Sequence, residues 1–193
     1  MNKDRKLYRK AEQYVIEQFQ RAKLGHQITH FQRTVYWLLQ LIPDADEAMQ
    51  IAALTHDIER AFRDPRLDEM VASSPEGFKD IAFLQEHSEK GARIIAGFLK
   101  RQGANPRMIE RVKILVEGHE FSGSDDQNAI KDADSLSYFE NNIKKFLSHD
   151  SKIFGKSKVK AKFDWMYNRI TSPKARQLAA PLYHEALVQL EKV

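Results

Sequence analysis

The chain contains no cysteine. Disulfides, thiolate metal ligands and a cysteine nucleophile are therefore excluded at the outset. No apolar run approaches the roughly 20 residues needed to span a bilayer as a helix. The opening stretch Met1-Asn-Lys-Asp-Arg-Lys6 is charged and lacks the apolar core of a secretory signal. With those features missing, the simplest expected location is the cytoplasm, and no membrane partner is expected. An internal repeat, a low-complexity tract and a β-alternating segment of convincing length are absent as well.

What is present is ordinary for a globular protein: 193 residues, 42% hydrophobic and 30% charged. That length suffices for a single domain with a sizeable core. The formal charge of +4 and pI near 9.2 favour anionic partners such as nucleotides or phosphoesters, although a slightly basic surface accounts for them equally well.

Apolar residues at three- and four-residue spacing predict a helix over residues 3–22, stopped by Gly25, and a second over 27–42, stopped by Pro43. Asp44 or Asp46 is placed to cap a third helix that runs into His56-Asp57. Residues 60–74 read as irregular, with turn signals at Asp64-Pro65 and Ser73-Ser74-Pro75; such a loop is either a pocket wall or a connector. Ser73-x-x-Glu76 has the form of a capping box. A long helix follows from about Phe78 to Arg101, then one over 106–118 behind Asn105-Pro106, and one from near Asp126. Two terminal helices are expected, over about 160–170 and from Ser172-Pro173, the latter kinked at Pro181. The whole predicts a single all-α domain, a helical bundle with a core over about 25–140 and a helical extension over 141–193.

The stretch Ile51-Ala-Ala-Leu-Thr-His-Asp57 places an imidazole and a carboxylate at the end of an apolar helix. That arrangement costs several kcal/mol unless both groups are paired or bound to a metal. Of seven histidines, His30, His56, His87 and His119 each fall on or at the end of a different apolar-patterned helix. Asp57 and Asp134 have similar settings. If the helices bundle, these six side chains can converge, as metal ligands do in helical bundles. Imidazole and carboxylate suit Zn, Mn, Fe, Co or Ni, and carboxylate-rich sites admit Mg. Six ligands with a bridging acid fit two ions about 3.5–4 Å apart, able to lower the pKa of a shared water and to neutralise charge on a phosphoryl oxygen. His26 is either a pocket residue or a cap; His149 and His184 stand outside the pattern. The basic run from Lys152 to Lys162, flanked by Phe154 and Phe163, offers a possible nucleic-acid or acidic-partner surface, with both aromatics read as core anchors.

The order His30, His56-Asp57, Asp134 resembles the HD-domain superfamily of metal-dependent phosphohydrolases. The segments Gly25-x-x-x-x-His30-Phe-Gln-Arg33-Thr-Val35, Ala52-Ala-Leu-Thr-His-Asp57 and Asp132-Ala-Asp134-Ser-Leu136 are similar to that family's ligand helices. Glu86-His87-Ser-Glu-Lys90-Gly91 and Glu117-Gly-His119-Glu120 resemble the additional segments of its dinuclear branch. The resemblance covers about residues 25–140. It implies His30, His56, Asp57 and Asp134 around one divalent ion and His87 and His119 on a second, bridged by Asp57.

Nucleotidase and stringent-response members of that superfamily carry Glu three residues after the pair; here that position is Arg60, with Glu59 one earlier. A cyclic-dinucleotide branch carries Lys there and a later Gly-Tyr-Pro, which this chain lacks. Neither specific activity is therefore carried over. Arg60 lies one turn from Asp57 and Lys90 three residues from His87, so each can hold a phosphate, as can Arg33. The expected activity is metal-dependent hydrolysis of a nucleotide or another small phosphoester, with Asp57, Arg60 and Lys90 as catalytic groups and Arg33, Arg60 and Lys90 binding substrate. Diiron oxygenase chemistry and a non-enzymatic binding module are the alternatives.

Overall fold

Alternation of apolar and charged residues at helical spacing produces α1 (Lys6–Arg21), which buries Ala11, Val15 and Phe19. The computed structural model describes residues 6–193, apart from the side chain of Asp150; the first three residues of the expected 3–22 helix lie outside that range. α2 (Ile28–Leu41) follows a short 3-10 turn at Gly25–Gln27. α3 (Glu47–Thr55) begins at Asp46, whose carboxylate accepts the Met49 N–H at 2.9 Å. Every residue from Ala48 to Thr55 is buried, so α3 is the central helix and its C-terminal end opens inside the protein.

The expected irregular stretch 60–74 is instead helical. A 3-10 turn (Ile58–Phe62) leads to α4 (Pro65–Ser73), capped by Asp64 through the Leu67 N–H. Asp-Pro is a turn signal, but it is equally an N-cap followed by a first-turn proline, and here the second use holds. The Ser73 capping box does not form: the Ser73 hydroxyl donates back to the Glu69 carbonyl at 2.7 Å. α5 (Ile81–Arg101) starts at Asp80, which accepts the Phe83 N–H, and ends at Gly103, whose φ of +75° suits glycine. α6 (Pro106–Glu117) is capped by Asn105. α7 (Asp125–Asn141) carries a full capping box between Ser124 and Gln127 and starts one residue before the expected Asp126.

Two single turns, α8 (Ile143–Lys145) and α9 (Ser151–Phe154), flank a π-helical turn and lead to α10 (Lys156–Asn168) and α11 (Pro173–Lys192). α11 runs on through Pro181, where a kink was expected. Among the described residues there is no strand, so the fold is all-α, and no helix is long and apolar enough to cross a membrane.

One core lies among α1, α2, α3, α5, α6 and the start of α7. A second forms between the end of α7 and the C-terminal helices, around the fully buried Phe163 with Tyr138, Val159 and Leu190. Phe163 is thus the expected core anchor, whereas Phe154 is half exposed. α7 belongs to both cores. A polar clamp fixes the join. The buried Asp132 carboxylate accepts the Thr171 N–H at 2.9 Å, the Ser172 N–H at 2.7 Å and the Thr171 hydroxyl. The Lys131 ammonium donates to the Arg169 carbonyl at 2.7 Å. Asp132→Ala leaves these donors unpaired inside the protein and should cost about 3 kcal/mol in urea unfolding; a loss below about 1 kcal/mol would show the clamp to be idle.

Candidate metal centre

Five segments deliver the site. His30 comes from the first turn of α2, His56 and Asp57 from the end of α3, His87 from the middle of α5, and His119 and Glu120 from just beyond α6. Asp134 projects from α7. The structure brings all six sequence-predicted ligands together and adds Glu120. Their ligand atoms fall into two groups, one of His30, His56 and Asp134 and one of Asp57, His87, His119 and Glu120, each mutually within 4.8 Å.

The four imidazoles share one orientation. Nδ1 of His56 lies 2.9 Å from the Ala53 carbonyl, and Nδ1 of His119 lies 2.7 Å from the Val116 carbonyl. A carbonyl only accepts, so both Nδ1 atoms carry the proton. Nδ1 of His87 faces the Glu59 carboxylate at 2.8 Å. Nδ1 of His30 meets the Ser137 hydroxyl at 2.9 Å, and that hydroxyl already donates to the His30 carbonyl at 2.7 Å, so the ring donates here too. In every case Nε2 is left to face the centre. Outer acceptors of this kind are how proteins fix the tautomer of metal-binding histidines.

At the centre the Nε2 atoms meet carboxylates. His30 Nε2 lies 3.0 Å from Asp134 Oδ1, and His56 Nε2 lies 3.4 Å from the same oxygen and 3.7 Å from Asp57 Oδ2. His87 Nε2 lies 2.8 Å from Asp57 Oδ1; His119 Nε2 is 3.8 Å from that oxygen and 3.6 Å from Glu120 Oε1. Asp57 thus turns one oxygen to each group, the placement a bridging ligand needs. Nε2 of His56 and of His119 are fully buried without a hydrogen-bond partner. Such orphaned polar atoms are rare and call for an explanation. Separations of 3.4–3.8 Å exceed a hydrogen bond but are close to the roughly 3.0–3.5 Å between neighbouring ligands on one divalent ion, given bonds of about 2.1 Å. The donor set therefore fits a divalent metal, as one ion or two.

Electrostatics agree. Burial works against ionisation of Asp57, yet Arg60 and His56 hold it well below the usual carboxylate range. Burial likewise opposes Asp134, which Arg169 and His56 hold down. For His56, burial disfavours the cation, but Asp57 and Asp134 outweigh it and push the pKa up to about 9. The buried carboxylates thus favour a positive charge at His56, and a divalent ion among the same groups would meet that demand.

The cations predicted to bind substrate divide. Arg60 stays at the site: its Nε lies 2.8 Å from Asp57 Oδ2, and the rest of the half-exposed side chain faces the cavity. Lys90 does not reach the cavity. Its ammonium donates to the Phe62 carbonyl at 2.7 Å and to Asp64 at 2.8 Å, pinning α5 to the 58–64 turn. Nor does Arg33, which forms a two-pronged pair with Glu140 and lies 3.8 Å over the Tyr36 ring. His26 lines the cavity mouth. His184 lies 5.6 Å from the Tyr183 ring, outside the site.

Three site residues were not among those the sequence assigned to the site. Glu120 follows His119 as Asp57 follows His56, so a repeated His-acid pair at a helix end could have revealed it. Arg169, at the end of α10, joins the two groups by pairing with both Glu120 and Asp134, and it stacks over Trp165 at 4.8 Å. Lys162 faces the cavity from the same helix, 4.1 Å from the Trp165 ring centroid. Burial lowers its pKa to about 8, with Glu120 opposing and Arg169 and Arg60 adding to the fall. The centre opens into a cavity of about 420 Å³ walled by both halves of the chain.

Fold and site together define an all-α protein built around a buried histidine–carboxylate cluster compatible with metal binding. Residues 9–190 match the family model described as a domain of unknown function (DUF4202), so the chain belongs to that family. No curated protein and no solved structure matches it.

Proposed function

We propose that the protein is a metal-dependent phosphohydrolase of the HD type, acting on a nucleotide or another small phosphoester. The observation that carries this reading is the common orientation of the four imidazoles, Nδ1 engaged and Nε2 turned to Asp57, Asp134 and Glu120, at the floor of a cavity with a cationic wall. A divalent ion held by His30, His56, Asp57, His87, His119, Glu120 and Asp134 would supply an acidified water and neutralise charge on a phosphoryl oxygen. Glu59 holds His87 in orientation, and the carbonyls of Ala53 and Val116 do so for His56 and His119. Arg169 fixes Glu120 against Asp134 so that neither carboxylate swings away. Arg60 and Lys162 stand where charge builds on the transferring group, which makes them stabilisers of the transition state. The anchored carboxylates leave little to reorganise during reaction.

The test is elemental analysis of the purified protein, followed by a phosphate-release screen over nucleotides and simple phosphoesters with Mn, Mg, Co, Ni, Fe and Zn. About one or two ions per chain and metal-dependent phosphate release are expected, both abolished by a chelator. Bound iron with oxygen uptake in place of phosphate release would replace this reading by that of a diiron oxygenase. Salt-sensitive nucleic-acid binding without metal dependence would replace it by that of a binding module.

A further inference from the structure

The charges lining the cavity do not balance. Its acids are all engaged. Asp57 is paired with Arg60, Asp68 with Arg63, and Glu120 and Asp134 with Arg169. Two lysines lining the same cavity, Lys145 on α8 and Lys162 on α10, have no carboxylate within ion-pair distance among the described residues. Among the described residues, the acids nearest to them in sequence are spent elsewhere. Glu140 is held by Arg33 and the Trp37 indole N–H, and Asp164 is held by Lys160 and Tyr183.

The two lysines occupy different parts of the cavity. The Lys162 ammonium lies within electrostatic reach of Arg60, Glu120, Asp134 and Arg169, beside the metal centre. Lys145 is solvent-exposed, at the mouth. It is held there because its neighbours are anchored: Ile143 is buried in the C-terminal core, and the Phe146 ring packs on Tyr138 at 5.3 Å. Phe146, Met166, Asn141 and Asn142 line the same cavity. An inner cation and an outer cation in one cavity are complementary to a molecule with two anionic ends.

We infer that the substrate carries a second anionic group, a phosphate or a carboxylate, separated from the scissile phosphoryl group and received by Lys145 while Lys162 assists the phosphoryl group at the metal centre. This rests on the phosphohydrolase reading and specifies its substrate class. Both lysines belong to the 141–193 extension, so specificity comes from the part of the chain outside the ligand-bearing segments.

The test uses probes that cannot be hydrolysed, so that binding is read without turnover. Manganese-loaded protein, dialysed free of excess metal, is titrated calorimetrically with methylphosphonate, ethylene-1,2-bisphosphonate and 3-phosphonopropionate. The two-headed probes should bind at least about tenfold more tightly than methylphosphonate, the size of one charge-assisted contact. Whichever of the two gains more identifies phosphate or carboxylate as the outer group. In Lys145→Gln the gap should fall below about twofold with methylphosphonate affinity unchanged, whereas Lys162→Gln should weaken all three probes alike. Lys145 is exposed and has no carboxylate partner among the described residues, so its variant should fold as the parent does. Equal binding of one- and two-headed probes, or a gap that survives in Lys145→Gln, overturns the inference. The gap without phosphate release from any ester would leave the two-anion site standing and remove the hydrolase. Phosphate release with no gap would do the reverse.

Discussion

On the phosphohydrolase reading, an Asp57→Asn protein should fail to hold a divalent ion and lose at least about a thousandfold in kcat/KM for phosphate release, equivalent to about 4 kcal/mol of transition-state stabilisation. The size follows from position. Asp57 is the acid with an oxygen toward each histidine group, Oδ1 toward His87 and His119 and Oδ2 toward His56 and Arg60. Asparagine keeps the shape but removes the charge and places an N–H₂ against atoms that a metal needs as lone pairs. It also frees the Arg60 guanidinium, which is half exposed and can turn to water at little cost. Elemental analysis, a circular-dichroism melt and the phosphate assay on one preparation give the readout. A folded variant that keeps its metal, or keeps its turnover when metal is depleted, would sink the mechanism.

Arg169→Met should produce the largest loss of stability in the C-terminal half. Arg169 is nearly buried and pairs with Glu120 and Asp134, themselves about nine-tenths buried, while its Nε donates to the Ser135 hydroxyl at 3.0 Å. Removing one member of a buried ionic network leaves the others uncompensated, at a cost of about 3–5 kcal/mol. In a chain of this length that lowers the melting midpoint by about 10 °C. Methionine fills most of the volume and can still lie on Trp165, so the loss reports charge rather than a cavity. Saturating Mn²⁺ should recover part of it, because an ion bound by the same carboxylates compensates them. A loss under about 1 kcal/mol without metal would show that Glu120 and Asp134 do not depend on Arg169.

The two variants probe parts of the site that differ in how far they can be read along the chain. The His56-Asp57 pair is conspicuous because Ile51, Ala52, Ala53 and Leu54 before it are apolar or small enough to be buried all round, and a buried helix end demands partners. His30, His87, His119 and Asp134 stand out for the same reason, each set in a 3.6-residue apolar pattern that turns it inward. Helix ends were mostly legible because caps are local: Asp46, Asn105 and Ser172 each accept an N–H three residues on. Reading failed where one local signal has two uses, as in Asp64-Pro65, a turn in one context and a helix start in this one. It failed again at Ser73, where the cap lies seven residues later at Asp80.

The sequence by itself determined an all-α protein and a set of inward-facing imidazoles and carboxylates, because periodicity and capping act over a few residues and need no distant partner. Only the tertiary structure decided which charges are free to act. Lys90 and Arg33 resembled phosphate ligands, but Asp64, 26 residues away, and Glu140, 107 residues away, consume them. Arg169 gave no local sign of a role and Lys162 stood out only as the end of a basic run, yet the clamp between Asp132 and the Thr171–Ser172 backbone brings α10 back over the candidate metal centre. Whether a cation is paired depends on contacts of a few ångströms between segments far apart in sequence. Those contacts exist only once both cores have packed.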